Sequence, residues 1–201
     1  MSTTDPTQTS DKLADDRPDD RDRRRPIMIR PAKIEDARAI AEIGVLGWQA
    51  AYRGMLGADF LAGLSIGARE VAWTMALESD PDRAAPTWVA ERDGRVVGYV
   101  SSGPPRDEDL SAPTAEVYAI YVLPAEWRSG AGRALLTSAA SHWHACGAGE
   151  MVLWVLEDNL ASRSFYEVMG WRPDGAQQSV VLGGTKVTEV RYRTSAGGHN
   201  R

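Results

Sequence analysis

The sequence predicts a single α/β domain built on a mixed, largely antiparallel central sheet with helices on both faces. Three observations predict it. Short runs of strand-forming residues alternate with helical periodicities, an Asp-Gly turn joins two central runs, and the last third reads strand, helix, strand. A chain of 201 residues with 43% hydrophobic and 25% charged side chains can bury one full-sized core.

Residues 1–26 hold few apolar side chains and crowd charges of both signs. Such a segment buries too little surface to offset its ordering entropy, so a disordered tail is expected there. Ile27 to Arg30 is an apolar run before Pro31, consistent with a first strand. Ile34, Ala37, Ile40, Ala41 and Val45 recur at helical spacing, with Gly47 near the end. A second helix is predicted from about Ala68 to Leu77, before the Asp80-Pro81 break. Trp88 to Glu91 and Val96 to Val100 flank Asp93-Gly94, a strong hairpin signal. After a proline-bounded loop over 104–113, Glu116 to Val122 is a strand of mostly β-formers. The next helix carries Leu135, Leu136, Ala139, Ala140 and Trp143 on one face. Met151 to Leu156 reads as a strand and Leu160 to Met169 as a helix. Ser179 to Leu182 and Val187 to Tyr192 read as a hairpin through Gly183-Gly184, a feature able to support a homodimer. The domain is expected over 27–194, with 195–201 as a short flexible tail.

Several classes are disfavoured. A net charge of -5 gives no electrostatic support for nucleic-acid binding. No stretch approaches the roughly 20 apolar residues that span a bilayer, and residues 1–26 contain no apolar signal region. The expected location is the cytoplasm, with no membrane association. The single cysteine, Cys146, rules out an internal disulfide and is expected to be a reduced packing residue. His142 and His144, two apart on a helix, point in different directions, and no metal-ligand spacing occurs, so no metal is expected.

The most informative segment is Val122-Leu123-Pro124-Ala125-Glu126-Trp127-Arg128-Ser129-Gly130-Ala131-Gly132-Arg133. A strand stops at a proline, crosses a short loop and enters a helix at two glycines that let the backbone approach a ligand. The first turn of a helix offers unpaired N–H groups and about half a positive charge, an anion site suited to a diphosphate. Arg128 and Arg133 add positive charge beside it. A Walker loop would need Lys-Ser or Lys-Thr after the second glycine, and a dinucleotide fingerprint would need glycine where Leu135 stands. A glycine-rich turn without a ligand is the remaining alternative.

With this loop, the chain resembles the GCN5-related N-acetyltransferase family, whose coenzyme A signature is Gln/Arg-x-x-Gly-x-Gly/Ala after a Val-x-Pro-like turn. The window here is Trp127 to Gly132, with Trp127 at the first position; the backbone cradle does not depend on that side chain. A second family segment follows at the expected distance. Asn159, Ser162, Phe165, Tyr166 and Gly170-Trp171 match Asn-x-x-Ala-x-x-Phe-Tyr and then Gly-Phe, with two mild substitutions. Ile29-Arg30-Pro31-Ala32 through Asp36-Ala37 is similar to the family's opening, so the resemblance spans about residues 27–194.

The resemblance implies a fold of the acyl-CoA N-acyltransferase type and acetyl transfer from acetyl-CoA to an amine by direct attack in a ternary complex. It implies that the Ile120 amide polarises the thioester carbonyl and the Val122 amide holds the pantetheine arm like an added strand. Ser129, Gly130, Ala131 and Gly132, with Arg128 and Arg133, would take the diphosphate. Asn159 would support the arm or the amine, and Tyr166 would protonate the leaving thiolate. Glu116 stands four residues before Ile120, where several members carry a catalytic glutamate; an ion-paired strand-end glutamate is the equal alternative. The ribosomal-protein branch places a glutamate where this chain has Trp154, which disfavours a ribosomal-protein N-terminus as acceptor. Trp48 and Tyr52 fall where the family shapes its acceptor pocket, although a core stripe is the plainer expectation. The acceptor stays open between small molecules and protein amines. Competing readings are a coenzyme A-binding module without chemistry and a nucleotide-binding protein.

Overall fold

A computed structural model describes residues 25–78, 86–110 and 113–197. Most of the expected N-terminal tail, the Asp80-Pro81 break and residues 198–201 lie outside them. The strands are β1 (Met28–Pro31), β2 (Thr87–Arg92), β3 (Arg95–Gly103), β4 (Thr114–Val122), β5 (Glu150–Leu156), β6 (Arg172–Leu182) and β7 (Thr185–Ser195). The α-helices are α1 (Ala37–Ala51), α2 (Ala58–Ala62), α3 (Ile66–Glu78), α4 (Ala131–Ala145) and α5 (Leu160–Val168). One sheet holds all seven strands in the order β1-β2-β3-β4-β5-β7-β6. Every neighbouring pair is antiparallel except β4 with β5.

Side chains alternate across a strand, and two neighbours on β3 show how this seats helices on both faces. A Cβ on Gly98 would meet Leu135 of α4 at 3.2 Å, while the Tyr99 hydroxyl lies 3.1 Å from where Gly44 of α1 would carry one. Consecutive positions therefore face opposite helices. The core runs through both layers, from Ile40 and Ile43 to Leu135, Leu136 and Ala139. The hairpin predicted at Asp93-Gly94 is present, with both residues at positive φ (54° and 74°), as a tight two-residue turn requires.

Some expectations shift. Helix α1 continues past Gly47 to Ala51, because that glycine provides clearance and is not a terminator: a Cβ there would lie 2.6 Å from Tyr121 Cδ1. The single-turn helix α2 is not among the expected elements, five residues being too few to carry a periodicity. Strand β7 runs through Ser195, and buried Ala196 donates its N–H to Gly149 O at 2.9 Å, so order extends past residue 194. Cys146 is exposed, with Sγ 3.7 Å from His142 Nε2, and is not a packing residue: it caps the end of α4, ahead of the turn into β5. Among the described residues no helix is long and apolar enough to cross a membrane.

Candidate active site

The parallel pair β4 and β5 is matched only from Thr114 with Glu150 to Val117 with Leu153. Beyond that point the strands diverge, although β4 stays paired with β3 as far as Val122 with Gly98. The divergence begins where Tyr118 is an extra residue on β4, between Val117 opposite Ser102 and Ala119 opposite Ser101. Such a bulge bends the strand that carries it. Past the bulge, backbone direction can be read from the end of the strand. The Leu123 N–H donates to Val97 O at 2.9 Å, so the amides of Tyr121 and Ala119 also face β3, and those of Val122 and Ile120 face the opening. The Val122 carbonyl faces the same way and accepts the indole N–H of half-exposed Trp127 at 2.9 Å. That contact is a role the sequence pattern did not disclose.

A cavity of about 1440 Å³ fills the opening. The site residues expected from the sequence line it, except Ser129 and Ala131. These two shape the loop instead: Ala131 is buried, and its N–H meets the Ser129 hydroxyl at 3.4 Å. Gly130 caps α4 at φ 92°, in the left-handed region, and no atom lies within 4 Å of the position its Cβ would take. The first bond of the helix is Ala134 N–H to Gly130 O at 3.0 Å, so the Gly132 and Arg133 amides precede the helical ladder. Gly132 is needed for space: a Cβ would sit 3.2 Å from the Phe165 ring of α5. Arg128 and Arg133 are exposed, and neither forms an ion pair among the described residues. Amides, dipole and the Arg128 and Arg133 cations suit this end of the cavity to an anion.

Opposite that loop, α5 brings Tyr166 and Asn159 to the same cavity. Tyr166 is 8% exposed, its ring stacked among Phe165, Trp171 and Tyr192 at centroid distances of 5.4 to 6.2 Å. Its hydroxyl has no hydrogen-bond partner among the described residues. Burial pushes the phenol above its ordinary value, so it stays protonated throughout the neutral range. Asn159 is the N-cap of α5, its Oδ1 accepting the Ser162 N–H at 3.1 Å. Asn159→Ala should therefore cost about 1 kcal/mol and lower the thermal midpoint by about 2–4 °C in a calorimetric melt. A larger loss of turnover than of stability would separate a direct contact with substrate from capping.

Glu116 lies in the cavity but is committed. It is 1% exposed and accepts the Arg106 backbone N–H at 2.9 Å, the Nε–H at 3.1 Å and a further guanidinium N–H. Arg106 in turn lies 4.5 Å over the Tyr118 ring. The cation on this carboxylate comes from the 104–113 loop and not from a neighbouring strand. The same loop is tied down by Arg191, whose guanidinium binds Asp107, Asp109 and Asp174 at 2.7 to 2.8 Å. Trp154 joins this cluster, donating its indole N–H to Asp107 at 3.0 Å. Trp48 and Tyr52 are half-buried, meet edge to face at 5.0 Å and line the cavity, so they belong to it and not only to the core. The Tyr52 hydroxyl shares a hydrogen bond of 3.1 Å with Tyr121.

A sheet opened at its one parallel pair, with a glycine-capped helix facing the opening, defines a transferase of the acetyl-coenzyme A type. The model of the acetyltransferase (GNAT) family matches residues 51–171, and the chain belongs to that family as an N-acetyltransferase. The uncharacterized N-acetyltransferase YuaI of Bacillus subtilis is 33% identical over 167 residues, 82% of this chain and 90% of that protein. YncA of Salmonella typhimurium, solved with its cofactor acetyl-CoA, has a TM-score of 0.65 at 26% identity and covers 88% of this chain and 97% of its own. The PaiA N-acetyltransferase of Thermoplasma acidophilum, in complex with coenzyme A, has a TM-score of 0.68 at 19% identity, covering 85% and 99%. Among the described residues no group of three His, Cys, Asp or Glu side chains could hold a metal ion.

Proposed function

We propose that the domain over 27–194 transfers an acetyl group from acetyl-CoA to a primary amine by direct attack within a ternary complex. The observation that carries this reading is the shared opening. Two strand amides, a glycine-capped helix and an unpartnered phenol face one cavity large enough for both substrates.

In this reading the diphosphate sits at the start of α4, held by the Gly132 and Arg133 amides, with Arg128 and the Arg133 guanidinium as counter-ions. The Ser129 and Ala131 contribution is to the shape of that loop. The pantetheine arm pairs with the Val122 amide, and the Ile120 amide donates to the thioester oxygen as it gains charge. Asn159 fixes the start of α5 and hence the position of Tyr166 beside the sulfur. The amine nitrogen, uncharged once a proton has left to water, attacks the carbonyl carbon. The C–S bond breaks, the N–C bond forms, the thiolate takes the Tyr166 proton, and the second proton shed by the nitrogen as the amide forms returns through water to the phenolate. Glu116, buried and holding three N–H donors of Arg106, serves by fixing Arg106 and the loop at the cavity edge.

Colorimetric detection of free coenzyme A thiol across a panel of amines tests this, with mass spectrometry of the product showing acetyl in place of hydrogen. Tight acetyl-CoA binding with no turnover on any amine would favour a coenzyme A-binding module. Absence of any heat or thermal stabilisation on adding acetyl-CoA would sink both.

A further inference from the structure

Charge in the cavity is sorted by position. The free cations Arg128 and Arg133 flank the glycine loop. Among the lining carboxylates, Glu126 is paired with Arg92, Glu116 with Arg106 and Asp107 with Arg191. Asp158 is exposed beside the start of α5. Glu189 differs from all of these. It is half-buried on β7, in register with Leu156 of β5 and Gln178 of β6, at the far side of the opening. Its carboxylate accepts the Gln178 side-chain N–H at 2.9 Å, a neutral donor, and no cation pairs with it among the described residues.

What surrounds Glu189 suits an organic cation. Trp48 and Tyr52 offer aromatic edges and faces, and such surfaces attract ammonium groups and pack alkyl chains. One of the Tyr52 and Tyr121 hydroxyls donates to the other, and the pair keeps lone pairs for a further N–H donor. Glu189 and Tyr52 are close enough for the carboxylate to raise the phenol beyond what burial does. Arg69 stacks 5.0 Å from the Trp48 centroid but is not among the residues that line the cavity.

We propose that Glu189 is the counter-ion of the acceptor, docking its ammonium group beside the Trp48 and Tyr52 rings. The site thereby selects a cationic amine that lacks a neighbouring carboxylate. This rests on the acetyl-transfer reading and specifies its second substrate. An alkyl ammonium brings three N–H donors, which a carboxylate and phenol oxygens receive. An amino acid would set its own carboxylate beside Glu189, while of the arginines that line the cavity Arg106 is already ion-paired and Arg128 and Arg133 flank the glycine loop.

The test compares phenethylamine with phenylalanine, alike in ring and amine and different in the carboxylate, using thiol release by the parent, Glu189→Gln and Glu189→Asp. The parent should prefer phenethylamine by about 10- to 100-fold in kcat/KM, and Glu189→Gln should raise KM for it about 10- to 100-fold, the loss expected for one partner of a charge pair. Its kcat and acetyl-CoA affinity should stay within about twofold of the parent. Glu189→Asp, which keeps the charge but shortens its reach, should fall between. Gln is isosteric, and a matched thermal midpoint confirms that the variant is folded. An unchanged KM in Glu189→Gln, or a parent indifferent between the two amines, overturns the proposal. If the parent acetylates neither, phenethylamine binding is read from quenching of tryptophan emission with coenzyme A present. Binding that Glu189→Gln abolishes supports the proposal, and no binding refutes it. A parent that fails to bind acetyl-CoA in a separate titration removes the transferase reading instead.

Discussion

Tyr166→Phe is expected to lower kcat by about 100- to 1000-fold, the loss typical of removing a positioned general acid. Acetyl-CoA affinity and thermal stability should barely move. The ring makes the packing contacts, with Phe165, Trp171 and Tyr192 around it, and phenylalanine keeps all of them. The hydroxyl has no partner among the described residues whose loss would leave a buried group unsatisfied. A phenol near pKa 10 is a poor match to a thiol near 8.5 in water. Burial raises the Tyr166 phenol further, but the same environment disfavours the thiolate and raises its own demand for a proton. Position then decides the transfer. Stopped-flow turnover with a parallel calorimetric titration separates the two quantities; equal kcat in the variant removes Tyr166 from the chemistry.

Gly130→Asp should weaken acetyl-CoA binding by about 30- to 100-fold, or about 2–3 kcal/mol. Space is not the reason, since a Cβ at Gly130 would meet nothing within 4 Å. Strain at φ 92° contributes, but Asp tolerates the left-handed region better than most residues. Most of the loss should come from a carboxylate at the start of α4, where the proposed diphosphate would meet a like charge. Two measurements isolate that cause. Gly130→Ala carries the strain without the charge and should lose less than about tenfold. The Gly130→Asp deficit should narrow as ionic strength rises, because exposed charges are screened beyond about 8 Å at physiological salt. A deficit independent of salt and equal in both variants would mean that backbone strain alone matters.

Legibility from the sequence followed the range of the interactions involved. The Asp93-Gly94 hairpin and the glycine-started helix α4 could be read in advance, because each depends on residues adjacent in the chain. Tyr166 is marked by the family resemblance, whereas the capping role of Asn159 emerges only in the folded chain. Glu116 is the counter-case. Its strand was predicted, but the cation that occupies it comes from a loop ten residues earlier whose path no periodicity reveals. Glu189 was invisible as a site residue: it reads as a polar position in a hairpin strand, and only the β5–β7 register carries it to the cavity. Trp127 was seen as a departure from a motif, without its bond to the Val122 carbonyl.

By itself, the order of residues determined most of the strands and helices and where the glycine turn falls, since hydrophobic period, turn chemistry and helix termini are local properties; Tyr166 was singled out through the family resemblance. The tertiary structure alone decided that β4 and β5 part after Val117 and Leu153, that Ile120 and Val122 direct their amides into the gap, and which carboxylates there are already neutralised. Those outcomes depend on pairing and burial between residues far apart in the chain, and a charge is free or spent only when everything packed around it is known.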